Sequence, residues 1–334
     1  MHEFFPCLMK VFESTIDEAG FPAIQELLKT GDLGFGASVG RFERQFAPFS
    51  QKNNNISTNS ASAAAFLIFS LLKERYGVCD VYTPSLGFAS PSWAAKHLGH
   101  NLIWVDVDSN LLFDCEDYRK KRKLNSDNKP VLMPILYGGV STIPYFSELK
   151  NDNHDEVIVV DSAHCVTPSI DSDFTFFSFH PYKPICSSDG GMIATDDNKA
   201  AEYFKCYRNF GRENVQNTYG IVQDGFKFYM NNLNATLALI SLGSYSAKRE
   251  ERLLNFNHLN NIRGKNLLPH DCDSSYYFAT EINGCADQLN AKYNLARHYP
   301  LLHKTKYFGD GSILANSEFV HDKIVNWPLY ITLI

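Results

Sequence analysis

The sequence predicts an α/β protein: a mostly parallel β-sheet with helices on its faces, followed by a smaller α+β unit. Three observations predict it. Short apolar runs rich in Val, Ile, Phe and Tyr recur through the first part of the chain, each ending in turn or polar residues. Continuous apolar runs of this kind suit strands buried on both faces. Helical patterns lie between several of them, the alternation that parallel strands need for their crossovers. From about Asn232 the texture changes to one long helical region and then to short mixed elements.

Each element follows from its residues. Ile16–Gly31 reads as an amphipathic helix ended by Gly31. Ser60–Gly77 reads as a second helix, apolar over most of its surface and therefore buried, with Asn59 or Ser60 as its cap. The strands are Asp80–Pro84, Asn101–Asp108, Val131–Tyr137, Glu156–Asp161, Phe174–Phe179 and Gly191–Thr195. Helices are expected over Ser90–Gly99 and Ser141–Lys150 between them, and over the long stretch from Leu233 to Ile262. The C-terminal unit is expected to hold a strand at Ser275–Ile282, a helix around Cys285–His298 and a last strand at Val325–Ile334. The large domain is placed at residues 1–245 and the small one at 246–334.

Composition narrows the function. The chain is 334 residues long, which is enough for one large domain and a companion. Its net charge of −6 and the lack of a basic run argue against nucleic-acid binding. No apolar run approaches a membrane span, and no secretory leader is read in the first residues. The eight cysteines are scattered singly, which argues against a zinc site or a disulfide framework and fits a reducing cytoplasm. Gly34, Gly36 and Gly40 do not form GxGxxG, because Val39 stands where a glycine is needed, so a dinucleotide site is rejected. Neither HExxH nor GxSxG occurs.

In a parallel sheet, chemistry collects at the C-terminal ends of the strands. Asp161 ends one strand, with Ser162, Ala163 and His164 after it. A buried carboxylate there needs a partner, which a protonated pyridine nitrogen would be; the alternative is a helix N-cap. Lys183 follows the strand Phe174–Phe179, where lost solvation lowers a lysine pKa and makes the amine a Schiff-base nucleophile; the alternative is a solvated surface lysine. Ser178 could donate to a phosphate. The small and hydroxylic residues of Asn59–Phe66 open a helix whose free N–H groups suit an anion, or they are an ordinary cap. Phe88, after the strand Asp80–Pro84, could stack on a cofactor ring or belong to the core.

The order of these segments resembles the DegT/DnrJ/EryC1/StrS family of sugar aminotransferases, and it does so from about Lys10 to Tyr330. GDLGFGASVGRFERQFA resembles the family's glycine-punctuated entry segment. TNSASAAA resembles its phosphate-binding "NSGTAA" segment, with Ala61 in place of the usual Gly and Ser62 at the hydroxyl position. YTPSLGFAS is similar to "tPsfTFvA", VVDSAHC to "EDaAqa", and FFSFHPYKPICSSDGGMIAT to "FSFhptKnlttGEGGmi". GFKFYMNNLNATLAL is similar to "GyNyRmselqAAlgl", while RHYPLLH and NWPLY resemble later segments.

The resemblance implies the pyridoxal 5′-phosphate (PLP) transferase fold type I, with a seven-stranded type of sheet and a small C-terminal domain. It implies Lys183 as the cofactor lysine, Asp161 at the pyridine nitrogen and His164 beside the cofactor. Phe88 is then on the ring, with Ala61, Ser62 and Ser178 at the phosphate. Lys227 of one subunit would reach the phosphate of its neighbour in a homodimer. It further implies L-glutamate as donor and a nucleotide-linked keto sugar as acceptor, for amino-sugar or surface-glycan synthesis. A lysine at 183 favours transamination over the dehydratase branch, which carries His there; a PLP-binding regulatory homologue is the alternative. The chain departs from the family pattern in a shorter stretch between Asp161 and Ser178, in Ser188 and Asp189 replacing Gly and Glu, and in lacking an Arg near Tyr229.

Overall fold

The computed structural model describes residues 16–123, 127–139, 155–166, 171–215, 218–268, 277–293, 295 and 299–330. The expected helix over Ser141–Lys150 lies outside these residues.

The chain enters through α1 (Phe21–Thr30) and α2 (Ala37–Ser50). Gly31 ends α1 with φ 71°, a left-handed turn that glycine adopts without strain. Then come β1 (Asn54–Thr58), α3 (Ala61–Tyr76), β2 (Cys79–Pro84), α4 (Ala89–His97), β3 (Asn101–Val105), α5 (Cys115–Arg122) and β4 (Lys129–Leu132). β5 (Val157–Asp161), β6 (Phe174–Ser178), β7 (Gly191–Thr195) and α6 (Asn198–Tyr207) complete the large sheet layer. The hairpin β8 (Arg212–Val215) and β9 (Thr218–Ile221) leads to α7 (Asn232–Ile262). The C-terminal part holds β10 (Ala279–Ile282), α8 (Ala286–Tyr293), α9 (Ala315–His321) and β11 (Ile324–Trp327).

β1 to β7 form one seven-stranded sheet in the order β1-β7-β6-β5-β4-β2-β3. β7 runs antiparallel to both neighbours, and the other adjacent pairs are parallel. Side chains alternate across the sheet, as the strand period of two dictates. Val159 and Phe176 pack against α3 and α6 on one face. On the other, Phe177 and Met192 meet α2 and α7, and Ile158 and Val160 meet the Tyr118 side of α5. α3 is buried along most of its length, which explains why its sequence is apolar nearly all round.

Several expected strands are shorter than their apolar runs, β3 among them, which ends at Val105 and not at Asp108. Pro134 has no N–H, so the ladder of Val131–Tyr137 is interrupted there, although Pro134 O still accepts from Asp161 N (2.9 Å). β11 stops at Trp327 because Pro328 follows. The C-terminal helix ends at Tyr293, before the expected His298.

The division expected at residue 245 falls inside α7, which runs unbroken for 31 residues, roughly 45 Å. Its Ala235–Tyr245 half packs on the sheet through α2, while Phe256 and Leu259 enter a core shared with β10 and β11. That second core includes Leu86, Val107 and Tyr137 from the sheet layer, so the two parts share apolar contacts.

A carboxylate fastens them as well. Asp106, just past β3, accepts from Asn316 N (2.9 Å), Ser317 N (2.7 Å) and Ser317 Oγ (2.6 Å) at the start of α9. It caps a helix some 210 residues away, satisfying N–H groups that have no partner within the helix. Replacing it leaves buried donors unpaired. Asp106→Ala is expected to lose about 2–3 kcal/mol in urea denaturation; a loss below about 0.5 kcal/mol would show that the cap is dispensable.

Candidate active site

The C-terminal ends of β2, β5 and β6 and the first turn of α3 surround one cavity of about 300 Å³. Ala61, Ser62, Phe88, Asp161, His164, Ser178 and Lys183 all line it. Lys227 does not. Its exposed side chain lies with Nζ 5.7 Å from the Tyr229 ring, and its carbonyl accepts from Asn59 Nδ2 (3.1 Å). Within a single subunit it stands apart from the other residues singled out in the sequence.

The α3 end of the cavity is built for an anion. Ser60 caps the helix, its Oγ accepting from Ala63 N at 3.1 Å. The N–H groups of Ala61 and Ser62 begin a 16-residue helix and have no carbonyl within it to bond to. The helix dipole adds positive potential at the same point. Gly191 makes this arrangement possible. A Cβ there would lie 2.5–2.6 Å from the Ser60 and Ala61 backbone, so only glycine lets β7 pass against the helix start.

Opposite sit two buried charges. Asp161 is 4% exposed and Lys183 8%. Asp161 Oδ1 accepts from Ala163 N (3.0 Å), a local turn bond in place of the helix cap the residue could have formed. Burial pushes its pKa up to about 6, against the pull of the Ala163 N–H and of Lys183. Burial brings Lys183 down to about 7, with Asp161 pulling the other way. Lys183 Nζ lies 4.3 Å from the centre of the Tyr277 ring. A lysine held near pH 7 presents a substantial fraction of neutral, nucleophilic amine. It sits on the loop between β6 and β7, which is pinned by Phe179 N to Gly190 O (2.9 Å) and Ser187 N to Phe179 O (2.8 Å).

His164 is committed on both ring nitrogens. Gly138 N donates to Nδ1 (3.1 Å), so Nε2 carries the proton and donates to Tyr299 Oη (2.8 Å). The ring also stacks on Tyr299, with centroids 5.4 Å apart. His164 thus presents a tyrosine hydroxyl at the cavity wall. Phe88 is 58% exposed and meets Tyr299 edge-on at 6.1 Å.

Tyr277 and Tyr299 are among the lining residues that sequence reasoning missed, as are His180, Tyr182 and Asp189. Tyr299 stands in RHYPLLH, a segment matched to the family without a role. It reaches the cavity because Leu302 N bonds Ser85 O (2.9 Å) and Leu301 bridges Leu86, beside Phe88. No local signal marks Tyr277. It is brought in by its N–H bonding Gly138 O (3.3 Å).

A protein-family model for DegT/DnrJ/EryC1/StrS aminotransferases matches residues 14–333, nearly the whole chain. The chain belongs to this family. Aminotransferases of the DegT/DnrJ/EryC1/StrS family are PLP-dependent. The chain is 28% identical over 236 residues to the spore coat polysaccharide biosynthesis protein SpsC of Bacillus subtilis. That match covers 66% of this chain and 60% of SpsC.

Solved structures share the family fold. PseC of Helicobacter pylori, an aminotransferase involved in the biosynthesis of pseudoaminic acid, superposes with a TM-score of 0.86 at 18% identity, covering 96% of this chain and 93% of that one. NtdA of Bacillus subtilis with bound cofactor PMP gives 0.82 at 21% identity, covering 97% and 80%. The expected α/β architecture of the family is therefore that of this chain.

The two shifted pKa values predict a pH dependence of the cofactor-free protein. Between about pH 7 and 10 the unfolded chain keeps a proton on this lysine that the folded chain has lost, so stability rises with pH there. Thermal melts of wild type and Lys183→Met across that range should show the wild-type rise and a flatter curve for the variant. Equal slopes would mean that Lys183 is not held near pH 7.

Proposed function

We propose that this protein moves an amino group from L-glutamate to a keto carbon of a nucleotide-linked sugar, using PLP held by Lys183 and Asp161. The observation that carries the reading is the cavity itself. It sets a buried carboxylate and a near-neutral lysine opposite the start of α3. A phosphate suits the first-turn N–H groups of Ala61 and Ser62 and the Ser62 and Ser178 hydroxyls. A pyridinium nitrogen suits Asp161, whose carboxylate is short of charged partners when buried. Phe88 is the residue for the ring face, and His164 supports the site through Tyr299.

Bound PLP supplies an electron sink for the carbon that loses its proton. The chain's own residues do the rest. Asp161 keeps a proton on the ring nitrogen, so the sink stays strong. Lys183 would hold the cofactor, and its free amine would serve as base and then acid, taking up a proton at Nζ and giving it back. Its lowered pKa lets one amine take and return a proton near neutrality. The aromatic wall of Tyr277, Tyr299 and Phe88 limits water around that transfer.

SpsC and PseC serve polysaccharide and pseudoaminic acid synthesis by their names, which supports a sugar as acceptor. The working form is a cytoplasmic homodimer in which Lys227 of each subunit approaches the phosphate of the other. Residues 1–245 serve as the cofactor domain and 246–334 as the smaller C-terminal domain.

Borohydride treatment of the PLP-loaded protein should fix the cofactor to the peptide containing Lys183, as read by mass spectrometry. Prior incubation with L-glutamate should abolish the label, and Lys183→Ala should never take it. An unlabelled wild type would end the aminotransferase reading. A label that persists after glutamate would point to a cofactor-binding protein that does not transaminate this donor.

A further inference from the structure

Three residues before Phe88, a buried polar chain joins the sheet layer to the C-terminal part. Ser85 and His303 are 0% and 2% exposed, and Ser85 Oγ lies 2.5 Å from His303 Nδ1. On its other side His303 Nε2 lies 3.1 Å from Glu318 Oε1 on α9. The same oxygen is met by Lys304 Nζ (2.8 Å) and accepts from Leu314 N (3.2 Å). Lys304 first, then His303 and Leu314 N, bring the Glu318 carboxyl down to about 2. Glu318 is therefore ionised at neutral pH and can only accept. His303 Nε2 then carries the ring proton, and the bare Nδ1 accepts from the Ser85 hydroxyl.

A serine, a histidine and a carboxylate in line are the parts of a hydrolytic relay. Burial removes that reading, because no substrate carbonyl can reach a serine with no exposed surface. The chain acts instead through what Ser85 carries. Ser85 is held twice by residues 301–303, its hydroxyl by His303 and its carbonyl by Leu302 N (2.9 Å), with the Leu86–Leu301 bridge beside them. Among the described residues its hydroxyl has no other partner. Ile135 closes on the same segment, since a Cβ on Gly87 would lie 2.6 Å from Ile135 Cδ1. Phe88 itself is loosely packed. It is 58% exposed, and its ring meets Tyr299 only edge-on at 6.1 Å. A side chain this open takes its position from the backbone that presents it.

We propose that His303 is a positioning residue for the cofactor site: by orienting Ser85 it fixes the backbone that sets Phe88 against the cofactor ring. Glu318 holds the imidazole in the tautomer that can accept from Ser85. The C-terminal part thereby sets one wall of a cavity whose charged groups all lie on the sheet layer. The assignment rests on the reading of the inner cavity as a PLP site.

Asn and Gln separate the two ring nitrogens. The amide of Asn stands near the place of Nδ1 and can still accept from Ser85; that of Gln stands near Nε2 and can serve only Glu318. PLP affinity, from absorbance titration, should fall about tenfold in His303→Gln and in Ser85→Ala, as loss of a buried hydrogen bond does. His303→Asn should stay within about twofold of wild type. Phe88→Ala should weaken PLP as well, and adding His303→Gln to it should cost less than about twofold more, because both act on one contact. Without cofactor, hydrogen exchange of the Leu86–Ser90 amides should quicken in His303→Gln and Ser85→Ala but not in His303→Asn. Thermal melts establish that each variant is folded, and Ser85→Ala, which removes one oxygen, is the mildest of them. Equal effects of Asn and Gln, a full further cost in the Phe88→Ala background, or unchanged exchange in both Ser85→Ala and His303→Gln overturns the assignment. If wild type takes up no PLP, the aminotransferase reading fails, and the exchange rates still decide whether His303 holds the Phe88 segment. If PLP binds and the variants behave alike, only the role of His303 fails.

Discussion

Two opposite charges buried at the C-terminal ends of central strands of a hydrophobic sheet govern this structure. Neither Asp161 nor Lys183 can be solvated where it lies, and each is shifted toward its neutral form by burial more than it is rescued by the other. Such a site is costly on its own, and the fold tolerates it because the surrounding backbone is over-determined. Asp161 is tied on both sides of its peptide, its N–H to Pro134 O and its carbonyl to Leu136 N (3.0 Å). The Lys183 loop is closed by the β6–β7 hairpin bonds. The strain of burial is thus carried by the ladder, and the side chains remain available for chemistry.

Two glycines let the pieces come close enough. Gly191 allows β7 to run against the start of α3, which brings the Ser178 and Lys183 side of the sheet within one cavity of the helix N–H groups. Gly138 has φ +67°, and a Cβ on it would lie 2.8 Å from Phe278. Its N–H fixes the tautomer of His164 while its carbonyl accepts from Tyr277 N. One residue therefore couples the sheet, the histidine and the C-terminal part.

The labour is divided between the two parts of the chain. The sheet layer holds the groups that bear charge, on strand ends whose positions a ladder fixes. The C-terminal part contributes tyrosines, whose rings narrow the cavity and whose hydroxyls, raised in pKa by burial, stay protonated. It is anchored to the sheet layer by Asp106, by the Leu86–Leu301 bridge and by a shared apolar core.

The sequence by itself determined six strands of the large sheet, though not β1, and with them the buried α3, the Gly31 stop, the long α7 and the residues that end β5 and follow β6. These are local consequences of periodicity, capping and apolar content, and they are written within a few residues of where they act. The candidate cofactor residues were legible for the same reason, since each lies just past a strand or opens a helix, and family order linked them. The fold alone decided that Ala61, Asp161 and Lys183 share one cavity, that His164 spends both nitrogens on Gly138 and Tyr299, and that Tyr277 and Tyr299 line the wall. It also set Lys227 apart from that cavity and made Ser85 and His303 neighbours. Those contacts join residues far apart in the chain, and no local pattern encodes a distance between them. Only the packing of helices on a twisted sheet, with glycine where backbones touch, brings them within bonding range.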